Sequence, residues 1–156
     1  MVFFSSFWET GHAIERLGYI GQSWSFPVYL KPTKSWDEVT YHFDTAYFLN
    51  EKWSATFSLD AQVAGRQYFL LELGPDFYPI QDVIIMPWIT GRFLYTMLPN
   101  GNIGWVSEVG FETHLSASQE GENFRLRISS GAGQLFVGSD NLFFIETARV
   151  GLLWSF

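Results

Sequence analysis

The chain has 156 residues, enough for one domain and hardly for two, and is 47% hydrophobic and 19% aromatic but only 16% charged. A charged share so far below the usual roughly 25% leaves little to solvate a globular surface, yet no apolar run reaches the ~18 residues of a membrane-spanning helix. A net charge of -7 excludes a nucleic-acid partner, whose phosphates need Lys and Arg, and the absence of cysteine excludes disulfides and thiolate metal sites.

Residues 1–17 open with "MVFFSSFWETGHAIERL". Phe3, Phe4, Phe7, Trp8, Gly11, Ile14 and Leu17 fall near one helical face, with Ser5, Ser6, Glu9 and Glu15 away from it. This predicts a short amphipathic helix or an apolar tail. The stretch lacks the basic start and long apolar core of a cleavable leader. Its exposed aromatics Phe3, Phe4, Phe7 and Trp8 are a candidate docking site for another protein.

From Tyr19 onward the chain alternates with a period of two, between turn residues. The pattern predicts strands near 19–30, 40–49, 52–63, 67–74, 83–97, 103–115, 123–137 and 142–156. In "YHFDTAYFL", Tyr41, Phe43, Tyr47 and Leu49 share one face, opposite His42, Asp44 and Ala46. Asn50-Glu51 reads as a tight hairpin turn, and "WSATFSLDAQV" then sets Trp53, Ala55, Phe57, Leu59, Ala61 and Val63 against Ser54, Thr56, Ser58, Asp60 and Gln62. The closing "RVGLLWSF" places Val150, Leu152, Trp154 and Phe156 on one face. Eight strands joined by short turns make an up-and-down antiparallel meander, and closing it removes the exposed edges. The fold predicted for residues 18–156 is therefore all-β: one eight-stranded antiparallel barrel.

Alternation alone does not say which face is inside, and a lipocalin-like soluble carrier would turn the apolar face inward. Volume decides. That face carries Trp24, Phe26, Tyr47, Trp53, Phe57, Phe69, Phe77, Phe93, Tyr95, Trp105, Phe111, Phe124, Phe136, Trp154 and Phe156. The interior of an eight-stranded barrel is just wide enough for side chains to fill, and it could not hold so many rings. The other face is rich in Ser, Thr, Gly and Ala. The polar face is thus expected inside and the apolar face against lipid, as a transmembrane barrel requires.

The alternating apolar final strand with its terminal Phe156 resembles bacterial outer-membrane β-barrels, and the size and strand count look like the small OmpA/OmpX class. The resemblance covers roughly residues 19–156. It implies a Gram-negative outer membrane, a bilayer with lipopolysaccharide as surroundings, and a terminal strand (Val150, Leu152, Trp154, Phe156) read by the barrel-assembly machinery. It also implies periplasmic termini, so that "KPTKSWDEV", "AGRQ", "LPNGN" and "GSDN" form short outer loops. Tyr47, Trp53, Tyr95 and Trp105 then belong to interfacial aromatic girdles. A helix ahead of a barrel is similar to the layout of PagP-like acyltransferases, whose catalytic residues find no motif match here.

The inward face then holds Asp44, Asp60, Glu72, Asp76, Arg92, Glu108, Glu112, Arg125, Arg127 and Arg149, with His42 and His114. Glu72 and Arg92 fall on neighbouring strands, as do Glu108 or Glu112 and Arg125 or Arg127, so the expected lumen is an ion-pair plug. Two constellations contain the ingredients of acyl transfer. "ETHLS" puts Glu112, His114 and Ser116 at alternate positions, although a shared face follows from the strand period alone. His42 near the first outer loop has Ser35, Asp37, Ser139 and Asp140 on loops that could approach it. No His/Asp/Glu cluster has ligand spacing along the sequence, so neither a metal nor a cofactor is expected. The function expected is a non-enzymatic outer-membrane barrel with a plugged lumen, structural or an accessory subunit of an envelope complex. The alternatives are a lipid A-modifying acyl hydrolase or acyltransferase, and a narrow ion-conducting pore.

Overall fold

The computed structural model describes residues 17–30, 38–64, 68–81, 83–98, 101–117, 123–138 and 140–156. Eight strands follow in order: β1 (Gly18–Tyr29), β2 (Val39–Phe48), β3 (Trp53–Ala64), β4 (Phe69–Phe77), β5 (Ile85–Leu98), β6 (Ile103–Ala117), β7 (Asn123–Val137) and β8 (Asp140–Ser155). Each pairs antiparallel with the next, and β8 returns to β1, closing the barrel. The seam runs from Tyr19↔Ser155 to Tyr29↔Phe144. It is completed where Leu17 N and Gly18 N donate to the Phe156 carbonyl and Phe156 N donates to that of Gly18. The helix expected over residues 1–17, with Phe3, Phe4, Phe7 and Trp8, lies outside the described residues apart from Leu17.

The faces sort by polarity as alternation dictates. Trp24, Phe43, Phe93, Trp105, Phe111, Phe124, Ile128, Val150 and Leu152 are exposed on the outer surface, whereas Asp44, Asp76, Glu112, Arg92, Arg125, Arg127 and Arg149 are buried inside. A lipocalin-like carrier has the reverse arrangement. A belt of this kind is costly in water and favourable in hydrocarbon, while the closed ladder satisfies the backbone that a bilayer would leave unpaired.

Local chemistry fixes the turns. Between β2 and β3, Leu49 N donates to the Trp53 carbonyl at 2.9 Å, and the Asn50 carboxamide oxygen accepts from Lys52 N (2.9 Å) and Trp53 N (3.1 Å). The hairpin is thus built by an Asx turn around Asn50 rather than by a bare two-residue loop. Between β7 and β8, Gly138 has a φ of +60°, a conformation in which a side chain is strained.

Two elements depart from simple alternation. β4 was expected to stop at Gly74-Pro75 but continues to Phe77. Pro75 still pairs with Ala55 on its β3 side, and its carbonyl accepts from Thr90 Oγ1 at 2.8 Å, while the β5 ladder steps from Leu73↔Phe93 to Asp76↔Thr90 around it. In β8, the four residues from Glu146 to Arg149 oppose three in each neighbour (Ser25 to Pro27, and Ser129 to Gly131). The resulting bulge turns Arg149 and Glu146 to the same side, the lumen.

Candidate functional site

The lumen is filled in layers. At the end carrying Leu17 and Phe156, Arg127 on β7 donates to Tyr19 Oη on β1 (2.9 Å), to Asp76 on β4 (2.6 Å) and to the Tyr78 hydroxyl (3.3 Å). Its Nε lies 3.0 Å from Glu112 on β6, and its guanidinium sits 3.6 Å from the centre of a Trp88 ring. A desolvated cation over an indole is a favourable pairing. Room for that indole comes from Gly110 opposite it: a Cβ there would stand 2.4 Å from the Ile128 carbonyl and 2.9 Å from the Trp88 ring. Arg125 adds a bond to Glu112 at 3.2 Å, and Tyr78 donates to the other Glu112 oxygen at 3.0 Å. Tyr78 stands just beyond β4. Burial first, and then the Glu112 charge, hold its phenol well above the usual range, so it remains a neutral donor.

The middle layer is centred on two arginines. Arg149 on β8 donates to Ser23 on β1 (2.9 Å), Asp44 on β2 (2.6 Å), Glu72 on β4 (3.3 Å) and Glu108 on β6 (3.0 Å). Arg92 on β5 donates to Glu72 (2.9 Å) and Asp76 (3.2 Å), linking this layer to the one below. Ser23 bonds Asp44, and Ser129 bonds Glu108. These contacts cross the bore rather than running along one wall. Glu108 pairs with Arg149 and stands 3.9 Å from Arg92; no contact ties it to Arg125 or Arg127 among the described residues.

The third layer surrounds His42. Its Nε2 lies 2.7 Å from Ser25 Oγ and 3.5 Å from Glu146 Oε1, and its Nδ1 lies 2.7 Å from Asp60 Oδ1. Hydroxyl, imidazole and carboxylate therefore meet, but with Ser25 and Asp60 as the partners. The Asp140 backbone stands six positions before Glu146 along β8, about 20 Å at the rise of a strand. Ser35, Asp37 and Ser139 lie outside the described residues. The order of contacts is that of an acyl-transfer relay. However, Ser25 and His42 are nearly inaccessible and face a cavity of about 30 Å³, room for a water or an ion but not for an ester with its chains.

In the second constellation Glu112 is engaged by Arg125, Arg127 and Tyr78, and the strand register shifts between His114 and Ser116, so simple alternation does not run through all three positions. On the outer surface, Tyr47 and Trp53 flank the β2–β3 turn, while Tyr95 and Trp105 stand near the β5–β6 turn at the opposite end; all four are exposed. Val150, Leu152, Trp154 and Phe156 are exposed as well.

Sequence reasoning missed Glu146, Ser25, Tyr19 and Trp88. Glu146 had a signal: exposed Phe143 and Ile145 are odd-numbered, whereas Val150 and Leu152 are even, and only a bulge reconciles the two phases. Ser25 could not be distinguished from any other small lumen residue. Tyr19 and Trp88 had the right parity, but the volume argument assigned large rings outward as a class.

No protein-family model matches the sequence, and comparison with curated proteins gives no match. Among solved structures the chain is similar to the N-terminal β-barrel domain of Pseudomonas aeruginosa OprF, with a TM-score of 0.54 and 10% identity over 90% of this chain and 98% of that one. The outer membrane protein OprG from Pseudomonas aeruginosa aligns over 90% of this chain and 97% of its own, with a TM-score of 0.44 and 11% identity. At such identities the likeness to OprF is one of fold: the chain has the eight-stranded architecture of the small outer-membrane barrels.

Proposed function

We propose that the chain is an integral outer-membrane barrel closed by its own interior charges, serving the envelope as a structural barrel or accessory subunit rather than as a channel. The observation that carries this reading is Arg149, whose guanidinium reaches four other strands and bars the bore at its middle. The Arg127 cluster adds a second bar below it. Lipid and lipopolysaccharide are then the surroundings of the outer face, with Tyr47, Trp53, Tyr95 and Trp105 at the two interfaces. Val150, Leu152, Trp154 and Phe156 form the strand that assembly machinery would read, and the aromatic sequence Phe3, Phe4, Phe7 and Trp8 is the segment offered to a partner. The test is conductance. Purified barrel reconstituted in planar bilayers should give no steps above the bare membrane, and reproducible steps from the wild-type protein would overturn the closed-lumen reading.

A further inference from the structure

We propose that the cavity around His42 is a binding site for a divalent transition-metal ion, held by His42, Asp60 and Glu72 with Glu146 beside them. One ligand atom from each of the first three lies within 4.8 Å of the others, and all three residues are buried. Three ligands each 2.0–2.2 Å from one ion stand about 3.3–3.8 Å apart, so the set completes by closing at most about 1.5 Å from the present spread. All four side chains line one cavity of about 30 Å³, more than the roughly 10–15 Å³ that a single water needs. The ligands come from β2, β3, β4 and β8, so the barrel itself sets the geometry.

Two further observations point to a cation. His42 Nδ1 is buried and its one close polar neighbour is the Asp60 carboxylate, 2.7 Å away without in-line hydrogen-bond geometry. A metal would use that nitrogen's lone pair and Asp60 together. Charge gives the second. Asp60, Glu72 and Glu146 bring three carboxylates to this layer, and the arginine bonds nearby go to Glu72 Oε2, Asp44, Glu108 and Asp76. Among the described residues, neither Asp60 nor Glu146 has an arginine or lysine within 4.0 Å; His42 alone is at ion-pairing distance from both. Buried carboxylates need a counter-charge, and an ion in the cavity supplies it. One imidazole among carboxylates suits Zn²⁺ or Mn²⁺, whereas Ca²⁺ calls for six to eight oxygens.

The probe is Zn²⁺, titrated into metal-stripped folded barrel in detergent against a competing chelator. One ion per barrel should bind with a Kd below about 10 µM, undisturbed by excess Ca²⁺. X-ray absorption at the zinc edge should show one nitrogen and at least two carboxylate oxygens. His42→Gln should weaken binding at least about tenfold, while Glu51→Gln, on an exposed turn, should leave it unchanged. Absence of stoichiometric binding, unaltered affinity in a folded His42→Gln, or an edge spectrum with water oxygens only would each overturn the site. If His42→Gln does not fold, the wild-type spectrum decides by itself.

Discussion

Arg149 shows how much a single inward side chain can hold. Three carboxylates, Asp44, Glu72 and Glu108, converge on its guanidinium, and Ser23 Oγ accepts a hydrogen bond from its Nε. Replacing one member of a buried pair leaves the others charged and unmatched, which costs about 3–5 kcal/mol. Arg149→Ala should therefore lower the unfolding free energy of the barrel by about that amount, read from urea titrations in lipid vesicles. Arg149→Lys should fall between the two, because one ammonium cannot repeat the planar fork. A loss below about 1 kcal/mol for the alanine variant would mean that water, not Arg149, neutralises those acids. Arg127 makes the corresponding contacts at the end carrying Leu17 and Phe156, where Trp88 replaces part of the water its charge has lost.

At the level of elements, the period of two made the strands legible, and their order follows from short connections. What it could not supply was phase across an irregularity. Parity carried back along β8 from Val150 would turn Glu146 outward, and it is the bulge that turns it into the lumen. Nor could it show which inward groups meet. Ser25, His42, Asp60 and Glu146 belong to β1, β2, β3 and β8, and only closure and register bring them level. The bulge leads to a pair of outcomes. Deleting Thr147 removes the extra residue but leaves both Glu146 and Arg149 facing inward, so that variant should fold, as followed by far-ultraviolet circular dichroism in micelles. Deleting Leu152 flips every residue on one side of the cut relative to the other, so it should not. Failure of both deletions alike would mean that the bulge geometry, with its Thr147 Oγ1 to Phe26 carbonyl bond of 2.8 Å, is itself required.

For the whole molecule, the arrangement of faces sets where each ring resides. Trp88 is 1% exposed within the lumen, while Trp105 is 44% exposed on the outer face. In vesicles with brominated acyl chains, a variant keeping only Trp105 should be strongly quenched and one keeping only Trp88 should not; the opposite pattern would turn the barrel inside out. The seam between β1 and β8 has a further consequence, for assembly. Arg149 stands on the last strand, and its acids stand on the second, fourth and sixth. Until the last strand meets the first, those charges face one another across an open sheet and remain wet. A half-wrapped sheet therefore has no stable place in hydrocarbon, and closure, neutralisation and insertion must proceed as one cooperative event.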